Sequence, residues 1–271
     1  MKKTLIVAIA LAMPAVAAAD GSPWLPIPGS AQVSIGYLQS SGDEYDAGTT
    51  RKMLPAKIEQ GTFSLGLQLG LTDQFAIDTR FNYVDSKFGM ASEGALSDTT
   101  IGARWRVVDE FEHNSTPTVT LRANAILNGN YDTGRADAIG DGGSGGELSV
   151  LVGKYLMPAL TVNGELGYRN RNKMIPSDFW GDINVGYAVH SRVSLTAGYS
   201  MTRSQGDLDI GGPGFTPSRF PETTEDRDVI KVGASIAAMS NMSVNLNYGK
   251  VVSGRNSTLA DLFGVSLAAS F

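Results

Sequence analysis

The feature that most constrains this chain is a two-residue beat of apolar and polar side chains, repeated along almost its whole length. Phe63, Leu65, Leu67 and Leu69 alternate with Ser64, Gly66, Gln68 and Gly70. Val193, Leu195, Ala197 and Tyr199 alternate with Ser194, Thr196, Gly198 and Ser200, and the last such stretch runs to Phe271. A β-strand sends successive side chains to opposite faces, so each stretch specifies one apolar and one polar face. Twelve such segments follow one another, at about 30–40, 58–71, 75–84, 97–108, 117–128, 146–156, 160–169, 178–188, 193–202, 227–237, 242–251 and 260–271. Each is long enough for a tilted strand to cross a bilayer, which takes about 9–11 residues.

The links between the segments alternate in length. Those at 72–74, 157–159, 189–192 and 238–241 are short, and 109–116 is intermediate. Those at 41–57, 85–96, 129–145, 170–177, 203–226 and 252–259 are long. In an up-and-down sheet the two sets fall at opposite ends. A soluble sandwich has no reason to sort its loops this way, whereas outer-membrane barrels pair short periplasmic turns with long extracellular loops. The faces agree. One face carries Val33, Ile35, Tyr37, Phe75, Ile77, Phe81, Ile101, Trp105, Val119 and Leu121 with almost no charge, and aromatic residues gather near segment ends. Two interfacial girdles around an apolar band have this appearance. The expectation is therefore an all-β protein: a closed, up-and-down, antiparallel transmembrane β-barrel of about twelve strands spanning residues 30–271. Closure also removes the unpaired edges of an open sheet, which a bilayer does not tolerate.

The N-terminus reads as export machinery rather than fold. Lys2 and Lys3, the apolar run Leu5 to Met13 and the small residues Ala17-Ala18-Ala19 make residues 1–19 an expected signal peptide, cleaved before Asp20. Residues 20–29, with their prolines, are expected to form a periplasmic N-terminal segment. The chain has no cysteine, so stability must come from closed ladders or a large core rather than from disulfides. Its net charge of -5 and the lack of a basic run exclude nucleic acid as a partner. The C-terminal alternation Phe263, Val265, Leu267, Ala269, Phe271 looks like the mark read by the barrel-assembly machinery, and Phe271 is expected to engage it. The remaining partners expected are outer-membrane lipid and lipopolysaccharide and a small-molecule solute, in the bacterial outer membrane.

Catalysis is not expected. Nucleophilic and general-base chemistry near neutral pH most often relies on histidine. The chain has two, His113 and His190, both in links expected at the periplasmic end, and they read as solvated turn residues. Glu165 and Asp182 fall on neighbouring segments at similar depth and read as electrostatic lining. No catalytic, cofactor or metal residue is assigned. Asp132, Asp137 and Asp141 make an oxygen-rich loop, but their spacing matches no defined calcium loop. Gly211-Gly212-Pro213-Gly214 reads as a flexible turn.

Function is expected in the lumen. Twelve strands about 4.8 Å apart and tilted near 40° give a backbone diameter of roughly 24 Å, and inward side chains leave a narrow bore. The expected lining is Asp78, Arg80, Arg104, Arg106 and Arg122 from the third to fifth strands, then Glu147, Glu165 and Asp182 from the sixth to eighth, with Lys231 further round. One arc would be basic and the next acidic, with Asp78 beside Arg104. Two consequences are open: a transverse field that orients solutes, or a salt-bridge network that fills the lumen.

The stretch Ser97-Asp98-Thr99-Thr100-Ile101-Gly102-Ala103-Arg104-Trp105-Arg106 resembles the Gly-Asp-x-x-x-Gly-x-Lys-Tyr-Arg strand of the MetA-pathway of phenol degradation family of outer-membrane barrels. Ser97 stands where that pattern has glycine. The hairpin from Gly153-Lys154-Tyr155 through Pro158 to Gly167-Tyr168 is similar to the family's as well. The resemblance implies passive uptake of small solutes, aromatic or other small organic molecules among them. The other reading left open is a non-conducting structural or adhesive barrel that acts through its extracellular loops.

Overall fold

A computed structural model describes residues 21–112, 116–135 and 137–271. The expected signal peptide and His113 lie outside the described residues. The described chain is one antiparallel sheet of thirteen strands: β1 (Ala31–Ala47), β2 (Thr50–Gly70), β3 (Phe75–Phe88), β4 (Ala91–Leu96), β5 (Thr99–Val108), β6 (Thr118–Leu127), β7 (Gly145–Met157), β8 (Leu160–Arg171), β9 (Asp178–His190), β10 (Val193–Ser204), β11 (Asp226–Met239), β12 (Met242–Arg255) and β13 (Thr258–Ser270). Each strand pairs with its chain neighbours, and β1 pairs with β13, which closes the cylinder. β4 and β5 share one position: β4 pairs the outer part of β3 from Tyr83 to Phe88, and β5 pairs the inner part from Phe75 to Arg80. The molecule is thus a closed twelve-stave antiparallel barrel. Among the described residues no helix is long and apolar enough to cross a membrane; the crossing is made by strands.

The period-2 pattern decides which face each side chain takes. Ile35, Tyr37, Phe75, Phe81, Ile101, Trp105, Leu121, Phe179, Ile183, Tyr187, Leu195 and Phe263 are exposed on the outside. Asp78, Arg104, Arg122, Asn124, Ser149 and Glu165, on the alternate parity, are buried inside. This inversion of the soluble rule follows from the solvent on each side: hydrocarbon outside, and inside a lumen where polar groups must find partners.

Short turns at 71–74, 158–159, 191–192 and 240–241 share one end of the barrel with the start of β1 and the end of β13. At the other end the structure departs from the sequence reading. Three of the links expected as long loops, 41–57, 85–96 and 252–259, are largely strand. β1 runs for 17 residues and β2 for 21, so their hairpin reaches well beyond the membrane-spanning part. Real loops at this end are 128–144, 172–177 and 205–225. The hairpins extend because pairing continues past a bulge near Gly42–Glu44 and satisfies the backbone groups that a loop would leave to water. The two longest loops fold back over the mouth. Gln60 Nε2 of β2 donates to the Ala138 carbonyl at 3.3 Å. Loop 205–225 is tied down through Asn256, whose amide nitrogen donates to the Thr224 carbonyl at 2.8 Å and whose oxygen accepts from Gly48 N at 2.7 Å and Ile210 N at 2.9 Å. Asn256 has φ +53°, a conformation asparagine tolerates better than other non-glycine residues.

Candidate functional site

The barrel's inner wall divides into two parts. On β3, β5 and β6 the register places Arg104 directly opposite Arg122, a like-charge pair that destabilises a ladder unless it is neutralised. Asp78 neutralises both. Its Oδ1 accepts from Arg104 Nε at 2.8 Å and its Oδ2 from Arg122 Nη2 at 2.9 Å. All three side chains are buried, Arg104 at 2 % exposure. The space for this knot comes from Gly102, where a Cβ would lie 2.3 Å from Asn124 Oδ1 and 3.0 Å from the Asp78 carboxylate. The chain of contacts continues round the wall. Arg122 Nε donates to Asn124 Oδ1 at 3.0 Å, and Asn124 Nδ2 donates to Glu147 Oε2 at 2.9 Å. Glu147 faces Arg169 at 3.6 Å, and Arg169 binds Asp178 at 3.0 Å. Arg122 also lies 3.8 Å from Glu165, whose Oε1 accepts from Ser149 Oγ at 2.5 Å.

The lining residues named from the sequence are therefore placed as follows. Asp78, Arg104, Arg122, Glu147 and Glu165 belong to this one network. Glu165 and Asp182 are a direct cross-strand pair. Asp182 is bonded by Lys231 and Asn184. Arg80 lines the main cavity. Arg106 sits at the short-turn rim, held by Asp109 at 3.0 Å. The basic and acidic arcs are not separate, because Asp78 sits between Arg104 and Arg122, and Arg122 approaches Glu165.

The largest difference from the sequence reading concerns the N-terminal segment. Residues 20–29 were expected as a periplasmic N-terminal segment preceding the barrel strands. Instead, the described part from Gly21 to Trp24 runs up into the lumen against β5–β8. Arg104 Nη1 donates to the Ser22 carbonyl at 3.3 Å, and Thr120 Oγ1 donates to the Pro23 carbonyl at 2.6 Å. Trp24 Nε1 donates to Glu110 Oε1 at 2.9 Å, and its ring packs on Tyr155 with centroids 4.9 Å apart. A Cβ on Gly153 would lie 2.6 Å from Pro23 Cγ, so only glycine leaves room for the segment there. At its tip, a Cβ on Gly21 would lie 3.5 Å from Glu165 Oε2 and 3.9 Å from Asp182 Oδ1. Below Trp24 the segment leaves through the short-turn end, where Gly29 N donates to the Gly70 carbonyl at 2.8 Å. The physical reason is that Pro23, Trp24 and Leu25 gain burial inside, while their backbone carbonyls answer donors of the wall.

Beside this strap the lumen holds a cavity of about 780 Å³, lined by residues of β3 and β5–β7 as well as β8–β13. Its wall mixes amides and hydroxyls, such as Asn163, Asn245 and Thr196, with charged groups, among them Arg80, Arg122, Glu165, Asp182 and Lys231, and with the ring of Trp180. Trp180 stands over Gly167, its directly paired residue. Sequence reasoning missed the strap, Glu110, Arg169 and Trp180. The available signals were the Trp24-Leu25 pair within a segment otherwise expected to be solvated, and the inward parity of Trp180 next to outward Phe179.

The loop carboxylates have arginine partners. Asp137 binds Arg135 at 2.8 Å and Asp141 binds Arg171 at 2.8 Å. Among the described residues no group of three or more potential ligands is gathered for a metal ion. On the outer rim, the hydrogen bond from Arg255 to Asp209 at 2.7 Å, supported by Asn256 at 2.9 Å, holds the Asp209 carboxyl below the usual carboxylate range. His190 is exposed at a two-residue turn, beside Ser191 and Arg192.

This architecture is that of a β-barrel whose polar lumen is packed on one side and open on the other. The chain belongs to the family described as "Putative MetA-pathway of phenol degradation", which matches residues 44–268. The family strand motif acquires a structural meaning here. Asp98 accepts from Gly129 N at 3.1 Å and Tyr131 Oη at 2.6 Å, Gly102 makes room for the charged knot, Arg104 belongs to it, and Trp105 stacks outside on Phe75 at 6.0 Å. No curated protein matches the sequence. Among solved structures, an outer membrane channel from Pseudomonas putida F1 is similar, with 15% identity over 93% of this chain and 100% of that one and a TM-score of 0.72. The KdgM porin has 11% identity over 88% and 99% of the two chains, with a TM-score of 0.54. The NanC porin has 8% identity over 88% and 98%, with a TM-score of 0.51.

Proposed function

We propose that this protein is an outer-membrane channel for passive uptake of small organic solutes. The observation that carries this reading is the cavity beside the strap, lined by polar, charged and apolar side chains, inside a barrel whose outer face is apolar. A barrel built only to display loops needs no such space. The cavity wall offers charged, amide and hydroxyl groups beside apolar side chains and an indole, so it suits molecules that join a polar group to an apolar body. Aromatic solutes bearing hydroxyl or carboxyl groups fit this wall, with Trp180 as a stacking surface. The family description and the porins of similar fold support the same reading.

The outward band of leucine, isoleucine and aromatic side chains is the surface for outer-membrane lipid and lipopolysaccharide. Phe271, 74% exposed at the closing seam, is the residue offered to the assembly machinery. Its amide donates to the Ala31 carbonyl at 2.8 Å, so the signal is displayed by the last rung of the barrel. We read the protein as a channel and not an enzyme, because its polar side chains are spent on one another and on the strap, and His190 lies at the rim.

Reconstitution in a planar bilayer tests the proposal. Discrete conductance steps are expected, reduced in the presence of a permeant hydroxylated aromatic. Absence of steps at high protein load would overturn it and leave display of the long β1–β2 hairpin as the function.

A further inference from the structure

We infer that the loop-end rim of the closing seam is a docking site for lipopolysaccharide, with Lys57 and Lys250 holding a phosphate of its lipid A headgroup. The inference rests on the reading of the outward band as the lipid face, and it is independent of conduction.

Its first support is where the outward cations stand. Parity along the strands turns four basic side chains out of the barrel at the loop end: Lys57 of β2, Lys87 of β3, Arg203 of β10 and Lys250 of β12. These strands belong to one arc of the ring, from β10 through the β13–β1 seam to β3. On β5–β9 the outward positions towards that end hold Leu127, Leu148, Tyr168 and Phe179, and no lysine or arginine. The height of the cations is that of headgroups. Lys250 follows the outward Tyr248 by two residues, and Lys87 and Arg203 follow the outward Tyr83 and Tyr199 by four. At about 3.3 Å per residue this puts them beyond the aromatic girdle, where the hydrocarbon ends. The long-loop end of an outer-membrane barrel is extracellular, so the leaflet at that height is lipopolysaccharide, whose phosphates are cross-linked by divalent cations.

The second support is the way these cations are held. Lys57 lies 3.5 Å from Glu59, Lys87 4.0 Å from Asp85, Arg203 2.7 Å from Asp228 and Lys250 3.4 Å from Asp261. In two of the four the carboxylate is itself gripped by the girdle: Tyr248 Oη donates to Asp261 at 2.6 Å and Tyr199 Oη to Asp228 at 2.5 Å. The tyrosine fixes the carboxylate and the carboxylate fixes the cation, while the Lys57 and Lys250 side chains stay 55% and 53% exposed. Exposed ion pairs contribute little by themselves, so these ammonium groups keep donors for a phosphate. The third support is a pocket of about 340 Å³ beside Lys57 and Lys250. It lies at the bulge Gly42–Glu44, which shifts the register of β1 against both β2 and β13. Its charged groups are Arg51, Lys57 and Lys250 against Asp43, Glu44 and Asp261, with Val252 and Leu259 as apolar neighbours. This balance complements a phosphate layer cross-linked by divalent cations: the basic groups take phosphate oxygens directly, and the carboxylates take the bridging cation.

Native mass spectrometry of the full chain tests this. The barrel is inserted into phosphatidylcholine nanodiscs prepared with magnesium and a small share of diphosphoryl lipid A, then released in the spectrometer. The wild type should retain one lipid A, and Lys57→Gln with Lys250→Gln should lower the retained fraction at least about fivefold. Lys154→Gln, which removes the outward cation of β7 at the short-turn end, should leave retention unchanged. Lipid A stripped of its phosphates should be retained at least about fivefold less by the wild type. Equal retention by the double variant and the wild type, equal retention of the two lipids, or a loss in Lys154→Gln as large as in the double variant overturns the inference. Heat-modifiable migration shows that the variants fold, and should the double variant not fold, the comparison of the two lipids on the wild type decides alone. A wild-type barrel that enters the disc but keeps no lipid A overturns this inference and leaves the lipid face standing, whereas one that does not enter the disc overturns both.

Discussion

The wall formed by β3 and β5–β8 and the wall formed by β9–β13 enclose one lumen by opposite means. The first is a connected network of charges: Asp78 binds two arginines that stand opposite each other, the contacts run on to Glu147, Arg169 and Asp178, and the strap packs on its lower part. The second carries the Asp182–Lys231 ion pair and otherwise single amides and hydroxyls, such as Asn245 donating to Ser266 Oγ at 3.2 Å. The difference is one of commitment. Charges buried inside a protein must be paired and hydrogen-bonded to survive, so they leave little capacity for a passing solute. Short neutral side chains satisfy one another loosely and can exchange partners with a solute at small cost. The charged network braces one side of the barrel, and the amides and hydroxyls are the groups left free to exchange hydrogen bonds.

Breaking the charged wall should have the largest effect. Asp78→Ala leaves two buried guanidinium groups facing each other and should cost about 3–5 kcal/mol, read as a lower midpoint in urea unfolding of the folded barrel. Asn245→Ala on the other wall should cost no more than about 1 kcal/mol. Equal losses at the two positions would erase the distinction drawn here. Next in size is the effect on ion preference. Arg104→Glu with Arg122→Glu should move the reversal potential towards cations, because Arg122 lines the cavity. A reversal potential that does not move would show that the charges are structural only. The smallest effect concerns the outer rim. Asp209 is held below the ordinary carboxylate range by Arg255 and Asn256, so its contribution is complete above its unfolded pKa and is lost as pH falls through the lower folded value. Proteolysis of loop 205–225 should therefore be slow near neutral pH and accelerate only in strongly acidic buffer, below about pH 4. Asp209→Asn should abolish that acid dependence.

The barrel was legible residue by residue wherever alternation was unbroken. Ile35, Tyr37, Leu195 and Tyr199 face outward as their parity requires, and Glu165 stands across from Asp182. Legibility failed at 41–57 and 85–96, where polar composition suggested loops. Pairing there is stabilised by backbone ladders, and a solvated hairpin has no apolar face to announce it. The candidate site was half legible. Arg104 and Arg122 could be assigned to the inside, but not the sharing of Asp78, because that needs the β3–β5 and β5–β6 registers at once. Arg169 belongs to the same network through two further registers.

By itself, the sequence determined the architecture: a repeat of two residues, sustained over some twelve segments, permits little besides a closed sheet with a lipid face and a polar lumen. Only the tertiary structure decided what the lumen contains. The strap makes no periodic pattern, and its attachments join Ser22 to Arg104 and Pro23 to Thr120, residues far apart in the chain. Local periodicity is written in neighbouring residues and can be read from them. The filling of an interior depends on which distant groups are left with unmet hydrogen bonds once the barrel has closed, and that appears only in three dimensions.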